Sequence, residues 1–182
     1  MTIVKVFFIM ISLSLLSSIG IMSNPFSSID PILAEQQKKQ GDAQKFSASL
    51  SGDQEVPSVQ TTATGYAWFK AKSTQDNIWF KINVSDIQGV TASHIHKGNQ
   101  GENGPPVVTL FKSDTPTQQI QGKLVTGNIT QDMLQGPLEG MQLSDLITAM
   151  ENKETYVNVH TQENPDGQIR GQISVMSNST GS

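Results

Sequence analysis

Three histidines hold all the imidazole chemistry available to this chain, and two of them stand together in His94-Ile95-His96. Side chains alternate between the two faces of a strand, so His94 and His96 share one face and Ile95 takes the other. The third, His160, ends Tyr156-Val157-Asn158-Val159-His160, where Val157 and Val159 share a face opposite Tyr156, Asn158 and His160. Apolar parity therefore turns all three rings away from the core. Imidazole is the commonest metal ligand near neutral pH, and an H-x-H pair on a strand offers two nitrogens to one ion. A third histidine from a neighbouring strand completes a three-nitrogen set with an open position, the form taken by catalytic zinc and several copper sites. Glu102, in the loop after His96, is the candidate carboxylate to assist such an ion. Asn158, two residues before His160, is the candidate to orient a ring from behind. Two other readings stand beside this one. His96 and His160 could brace the loop Gly98–Pro106 and the turn Pro165-Asp166-Gly167 by hydrogen bonds, or the rings could serve as general acids and bases. Residue types alone leave all three open. No Ser/His/Asp spacing, phosphate loop or dinucleotide fingerprint stands out. The absence of cysteine removes thiolate ligands, Cys nucleophiles and disulfides together.

The elements that must position these residues are mostly strands. Phe46, Ala48 and Leu50 alternate with serines, and Ile78, Phe80, Ile82 and Val84 alternate with Trp79, Lys81, Asn83 and Ser85. Thr64–Ala71, Val90–Lys97, Val107–Phe111 and Gln119–Gly127 read as further strands separated by Gly, Pro and Asn. Tyr156–Thr161 and Gln168–Val175 form a closing hairpin about Glu163-Asn-Pro-Asp-Gly167. One stretch has helical spacing: Leu143, Leu146, Ile147 and Met150 form a stripe within Leu143–Lys153, with Ser144 as a candidate cap. A short helical turn is expected over Thr130–Gln135. Seven to eight short strands with one inserted helix predict an all-β antiparallel β-sandwich or Greek-key barrel.

Hydrophobic residues make up 36% of the chain, below the ~45–50% usual for globular proteins, in keeping with short strands and many polar turns. Twelve Lys and Arg against sixteen Asp and Glu give the 182 residues a net charge of −4, which leaves no basic surplus for a nucleic-acid partner. Val6–Leu16 is an apolar run of the length of a signal-peptide core, followed by small residues at Gly20 and Ser23. Residues 1–23 are expected to be a signal peptide, 24–44 a polar linker, 45–176 the domain and 177–182 a flexible tail. An uncleaved segment 4–22 would instead serve as the only membrane contact. Three sequons, at Asn83, Asn128 and Asn178, are candidate glycosylation sites in a secreted or cell-envelope protein.

Leu50-Ser-Gly-Asp-Gln-Glu-Val-Pro57, Ala92-Ser-His-Ile-His-Lys-Gly98, Gly101-Glu-Asn-Gly-Pro-Pro-Val107 and Tyr156–Thr161 followed by Asn164–Ile173 together resemble the CHRD domain, named for its repeats in chordin. The resemblance covers about Lys45–Val175. It implies an extracytoplasmic all-β module, acting in extracellular binding to a protein or glycan, with no established activity. His94-Ile-His96 with Val159-His160 and Asn164-Pro-Asp-Gly167 is also similar to the copper-ligand pattern of copper/zinc superoxide dismutases, which are Greek-key barrels. That similarity implies copper ligands at His94, His96 and His160, within a barrel of immunoglobulin-like or superoxide-dismutase-like form. The bridging histidine, the zinc ligands and the disulfide of those enzymes have no counterpart here. Two functions follow from the residues and the resemblances. The first is a non-enzymatic secreted binding module. The second is a mononuclear copper or zinc domain, with superoxide-dismutase-like redox activity as its furthest extension.

Overall fold

The computed structural model describes residues 43–177. The expected signal segment, nearly all of the linker and the Asn178 sequon lie outside the described residues. Nine strands form one antiparallel sheet: β1 (Gln44–Ser51), β2 (Thr64–Ala71), β3 (Ile78–Ile87), β4 (Val90–Lys97), β5 (Pro106–Lys112), β6 (Ile120–Ile129), β7 (Thr155–Thr161), β8 (Ile169–Gln172) and β9 (Ser174–Val175). Their spatial order is β5-β4-β7-β8-β1-β2-β3-β6, with β9 paired to β1. β3 pairs with β6 across the excursion through β4 and β5, and β4 pairs with β7 across β5 and β6, so the chain traces two overlapping Greek keys. The outermost strands β5 and β6 approach each other, and the single sheet wraps into a nearly closed barrel. The all-β expectation holds.

Alternation along β3 explains the barrel wall. Phe80 is 2% exposed and faces Phe69 of β2, their ring centroids 6.4 Å apart, whereas its neighbour Trp79 is 41% exposed. Phe46, Ile82, Ile95, Val157 and Val159 fill the same interior from other strands. The one α-helix among the described residues, α1 (Leu143–Glu151), buries Leu143, Leu146, Ile147 and Met150 as its stripe requires. Its start differs from the Ser144 cap expected. Gln142 occupies the cap position, and its backbone N–H donates to the Asp145 carboxylate at 2.9 Å, because the first apolar residue of the stripe, Leu143, already lies inside the helix. The Thr130–Gln135 turn is a short 3₁₀ segment, Gln131–Met133.

Two irregularities position the histidines. The β4–β5 register shifts between Ser93 and His94 and again between Ile95 and His96. Such bulges bend a strand and re-aim its side chains. On the other side β4 pairs in regular register with β7 from Ala92 to Lys97, which sets Ala92 opposite His160 and His94 opposite Asn158.

Candidate metal centre

The three histidines meet on the outer face of β4 and β7. One nitrogen from each ring lies within 4.8 Å of the other two. The ring of His94 stands 4.9 Å from that of His160 and 5.6 Å from that of His96, centroid to centroid. Each ring has a defined second role. His96 Nδ1–H donates to the Gly104 carbonyl at 2.8 Å, and His160 Nδ1–H donates to the Pro165 carbonyl at 2.9 Å. A carbonyl only accepts, so Nδ1 carries the proton in both rings and the lone pair of the neutral imidazole sits on Nε2. His96 Nε2, His160 Nε2 and His94 Nδ1 are all buried and lack a hydrogen-bond partner. The bracing and metal readings therefore describe two ends of the same rings.

Around this set the outer face is covered, which strand parity alone does not foretell. His160 is 8% exposed, and every residue of β7 is buried. The loop after β4 lies over the face and is tied down by Arg170 of β8. Its guanidinium donates to Asn103 Oδ1 at 2.9 Å and to the Glu102 and Asn99 carbonyls at 2.6 and 3.3 Å. It also stacks 3.6 Å above the Tyr156 ring, which in turn lies nearly parallel to His96, 5.0 Å away. The Tyr156 hydroxyl accepts from the Gly104 N–H at 3.1 Å. Position 104 must be glycine, because a Cβ there would fall on the Lys97 carbonyl oxygen.

Two expected helpers stand elsewhere. The Glu102 carboxylate is exposed and accepts from Asn99 Nδ2 at 2.9 Å, outside the group of converging ligand atoms. The turn joining Asn99 to Glu102 presents the Glu102 backbone to Arg170 and its side chain to solvent. Asn158 orients no histidine ring. Its amide donates to the Asp166 carbonyl at 3.2 Å and lies 3.5 Å from Glu55 Oε2, while backbone carbonyls hold the rings instead. Asn83 and Asn128 sit on the outward face of β3 and β6, remote in the sheet from β4 and β7. Sequence reasoning overlooked Glu55, Tyr156 and Arg170. The signal was present in that Arg170 is the only arginine of the chain, and it and Glu55 fall inside the motif blocks.

Burial lowers the His94 pKa to about 4, with repulsion from His160 and His96 adding to the effect. Burial also lowers His96 and His160, against the opposing pull of their hydrogen bonds to Gly104 and Pro165. Glu55, 7% exposed, moves the other way: burial pushes it up to about 7 despite Arg170 and Asn158. The two effects have opposite sign in stability. A histidine whose folded pKa lies below 6.5 contributes stability that is full above pH 6.5 and is lost as the pH falls towards the folded value. Glu55 contributes stability that is full below 4.5 and is lost as the pH rises to about 7. Three rings against one carboxyl leave a net loss on acidification. The urea midpoint of the metal-free chain is expected to be lower at pH 5 than at pH 7; a higher midpoint at pH 5 would make Glu55 the dominant group.

Fold and site together define an antiparallel Greek-key barrel with a three-histidine cluster on its covered outer face. The CHRD domain family model matches residues 46–173, and the chain belongs to the CHRD domain family. No curated protein and no solved structure matches the chain.

Proposed function

We propose that this CHRD domain is a mononuclear metal-binding module that holds one copper or zinc ion on His94, His96 and His160. The observation that carries the proposal is the convergence of one nitrogen from each ring to within 4.8 Å, in a set where each ring also keeps one buried nitrogen without a hydrogen-bond partner. Buried polar atoms are almost always satisfied, and three imidazoles drawn this close, each with an unpartnered nitrogen, suit a shared cation. Three neutral imidazoles suit copper(II) above zinc by intrinsic affinity. His94 and His96 are half-buried and His160 is buried, so the set lies beneath the covering loop and near the protein surface. Copper bound there would supply one-electron chemistry, and zinc would supply a Lewis acid. Export by the Val6–Leu16 segment would place this module outside the cytoplasm. The test is metal content. Metal-free protein is mixed with Cu²⁺ or Zn²⁺, passed through a desalting column and analysed by mass spectrometry. One ion per chain is expected, with nitrogen hyperfine structure in the copper spectrum. Protein that emerges free of both metals would overturn the proposal.

A further inference from the structure

Both tryptophans of the chain, Trp68 and Trp79, lie on the outward face of β2 and β3 together with Tyr66. β8 and β1 separate this surface from the histidine-bearing strands β4 and β7. Tyr66 and Trp68 are in contact, their ring centroids 4.3 Å apart and tilted by 51°. Trp79 stands directly across the ladder from Lys70, and Trp68 directly across from Lys81, whose Nζ lies 5.8 Å from the Trp68 ring. Each tryptophan is thus paired across the strands with an ammonium group. Hydroxyl and amide groups border it, with Ser47 and Ser49 beside the β2 rings and Asn128 beside Trp79.

The charge on these strands is predominantly positive. β1, β2, β3 and β6 contain Lys45, Lys70, Lys81 and Lys123, and their one acidic residue is Asp86, at the end of β3. Asp86 accepts a hydrogen bond from the Gln121 amide. Four of the chain's twelve basic residues stand on these strands against one acidic residue, whereas the chain as a whole carries −4. We infer that this face is a binding platform for an anionic polysaccharide. A pyranose ring offers an apolar C–H face to an aromatic ring, hydroxyls to the bordering Ser and Asn groups, and carboxylate or sulfate groups to the lysines. Single-stranded nucleic acid shares the stacking and the negative charge. It fits less well, because Tyr66 and Trp68 already contact each other, their rings tilted by 51° and not stacked in parallel as on a base-stacking platform.

With both tryptophans on the platform, intrinsic fluorescence reads occupancy directly. The full exported chain is titrated with polygalacturonate and with dextran sulfate, using uncharged dextran and oligo(dT) as comparisons. A saturable change in emission with at least one polyanion is expected, absent with dextran and weaker with oligo(dT). Trp79→Ala should weaken binding about tenfold or more, the size of one interface hot spot. Lys70→Gln with Lys81→Gln should weaken it and flatten its salt dependence, which serves as the test if Trp79→Ala fails to fold. His96→Ala should leave it unchanged, so failure of the metal proposal and failure of this one are told apart. No response to either polyanion, equal binding of dextran, tighter binding of oligo(dT), or binding that survives both sets of substitutions would each overturn it.

Discussion

Replacing His96 with alanine is expected to abolish retention of Cu²⁺ on a desalting column, with His94→Ala and His160→Ala close behind. Loss of an outer partner of a metal ligand costs ~10–100-fold in affinity, and loss of a ligand from a set of three costs more. His96 is placed first because its ring does two things. Its Nε2 is one of the three converging atoms, and its Nδ1–H holds Gly104 in the loop that covers the site. His94 Nδ1 is buried without a partner, and no hydrogen bond from that ring ties down a covering loop among the described residues. A calorimetric or competition titration of the three variants measures the order, and circular dichroism checks that the β-spectrum is intact. Copper binding that persists in the His94→Ala, His96→Ala double variant would remove the site.

Arg170→Ala is expected to lower stability by ~3–5 kcal/mol, the range for breaking a buried charged network. The guanidinium is 2% exposed and serves three acceptors in the loop from Asn99 to Asn103 while covering Tyr156. Its removal frees the loop, uncovers the ring against which His96 rests and leaves Glu55 without its nearby positive charge. Lysine keeps the charge but lacks both the flat stacking surface and the fork of donors, so Arg170→Lys should recover only a minor part of the loss. The measurement is a urea unfolding midpoint at unchanged slope. Wild-type stability in Arg170→Lys would mean that charge alone, and not the stack and fork, holds the loop.

Strand alternation made most of the barrel legible. The inward Phe80 and outward Trp79, the common face of His94 and His96, and the helical stripe of Leu143–Met150 all stand where period and parity put them. The hydrogen bonds from His96 and His160 to the covering loop and turn were also readable, because Gly- and Pro-rich segments follow both rings. Burial of the outer face was not. Arg170 and Glu55 look like solvated charges in a linear pattern, and only loops brought in from Gly52–Val56 and Asn99–Gly104 enclose them. Glu102 misled for the converse reason: adjacency in sequence to His96 says nothing about which way a tight turn directs its side chain. Closure of the last strand pair into a barrel is likewise a property of the whole sheet and of no single segment. The closing strand shows this on a small scale, since the expected Gln168–Val175 is divided into β8, paired to β7, and β9, paired to β1.

The carbonyls of Gly104 and Pro165 have one further effect on an ion arriving at the three histidines. Both Nδ1 protons are committed to those carbonyls, and desolvation lowers the pKa of both rings, which favours their neutral form. Entry of an ion at the proposed site would then displace few protons near pH 7, in contrast to a thiolate site, where every ligand must first be deprotonated. Capture is accordingly uncoupled from the buffering of the surroundings. A domain working where acidity drifts would keep its affinity level across neutral pH and surrender its ion only in distinctly acid conditions.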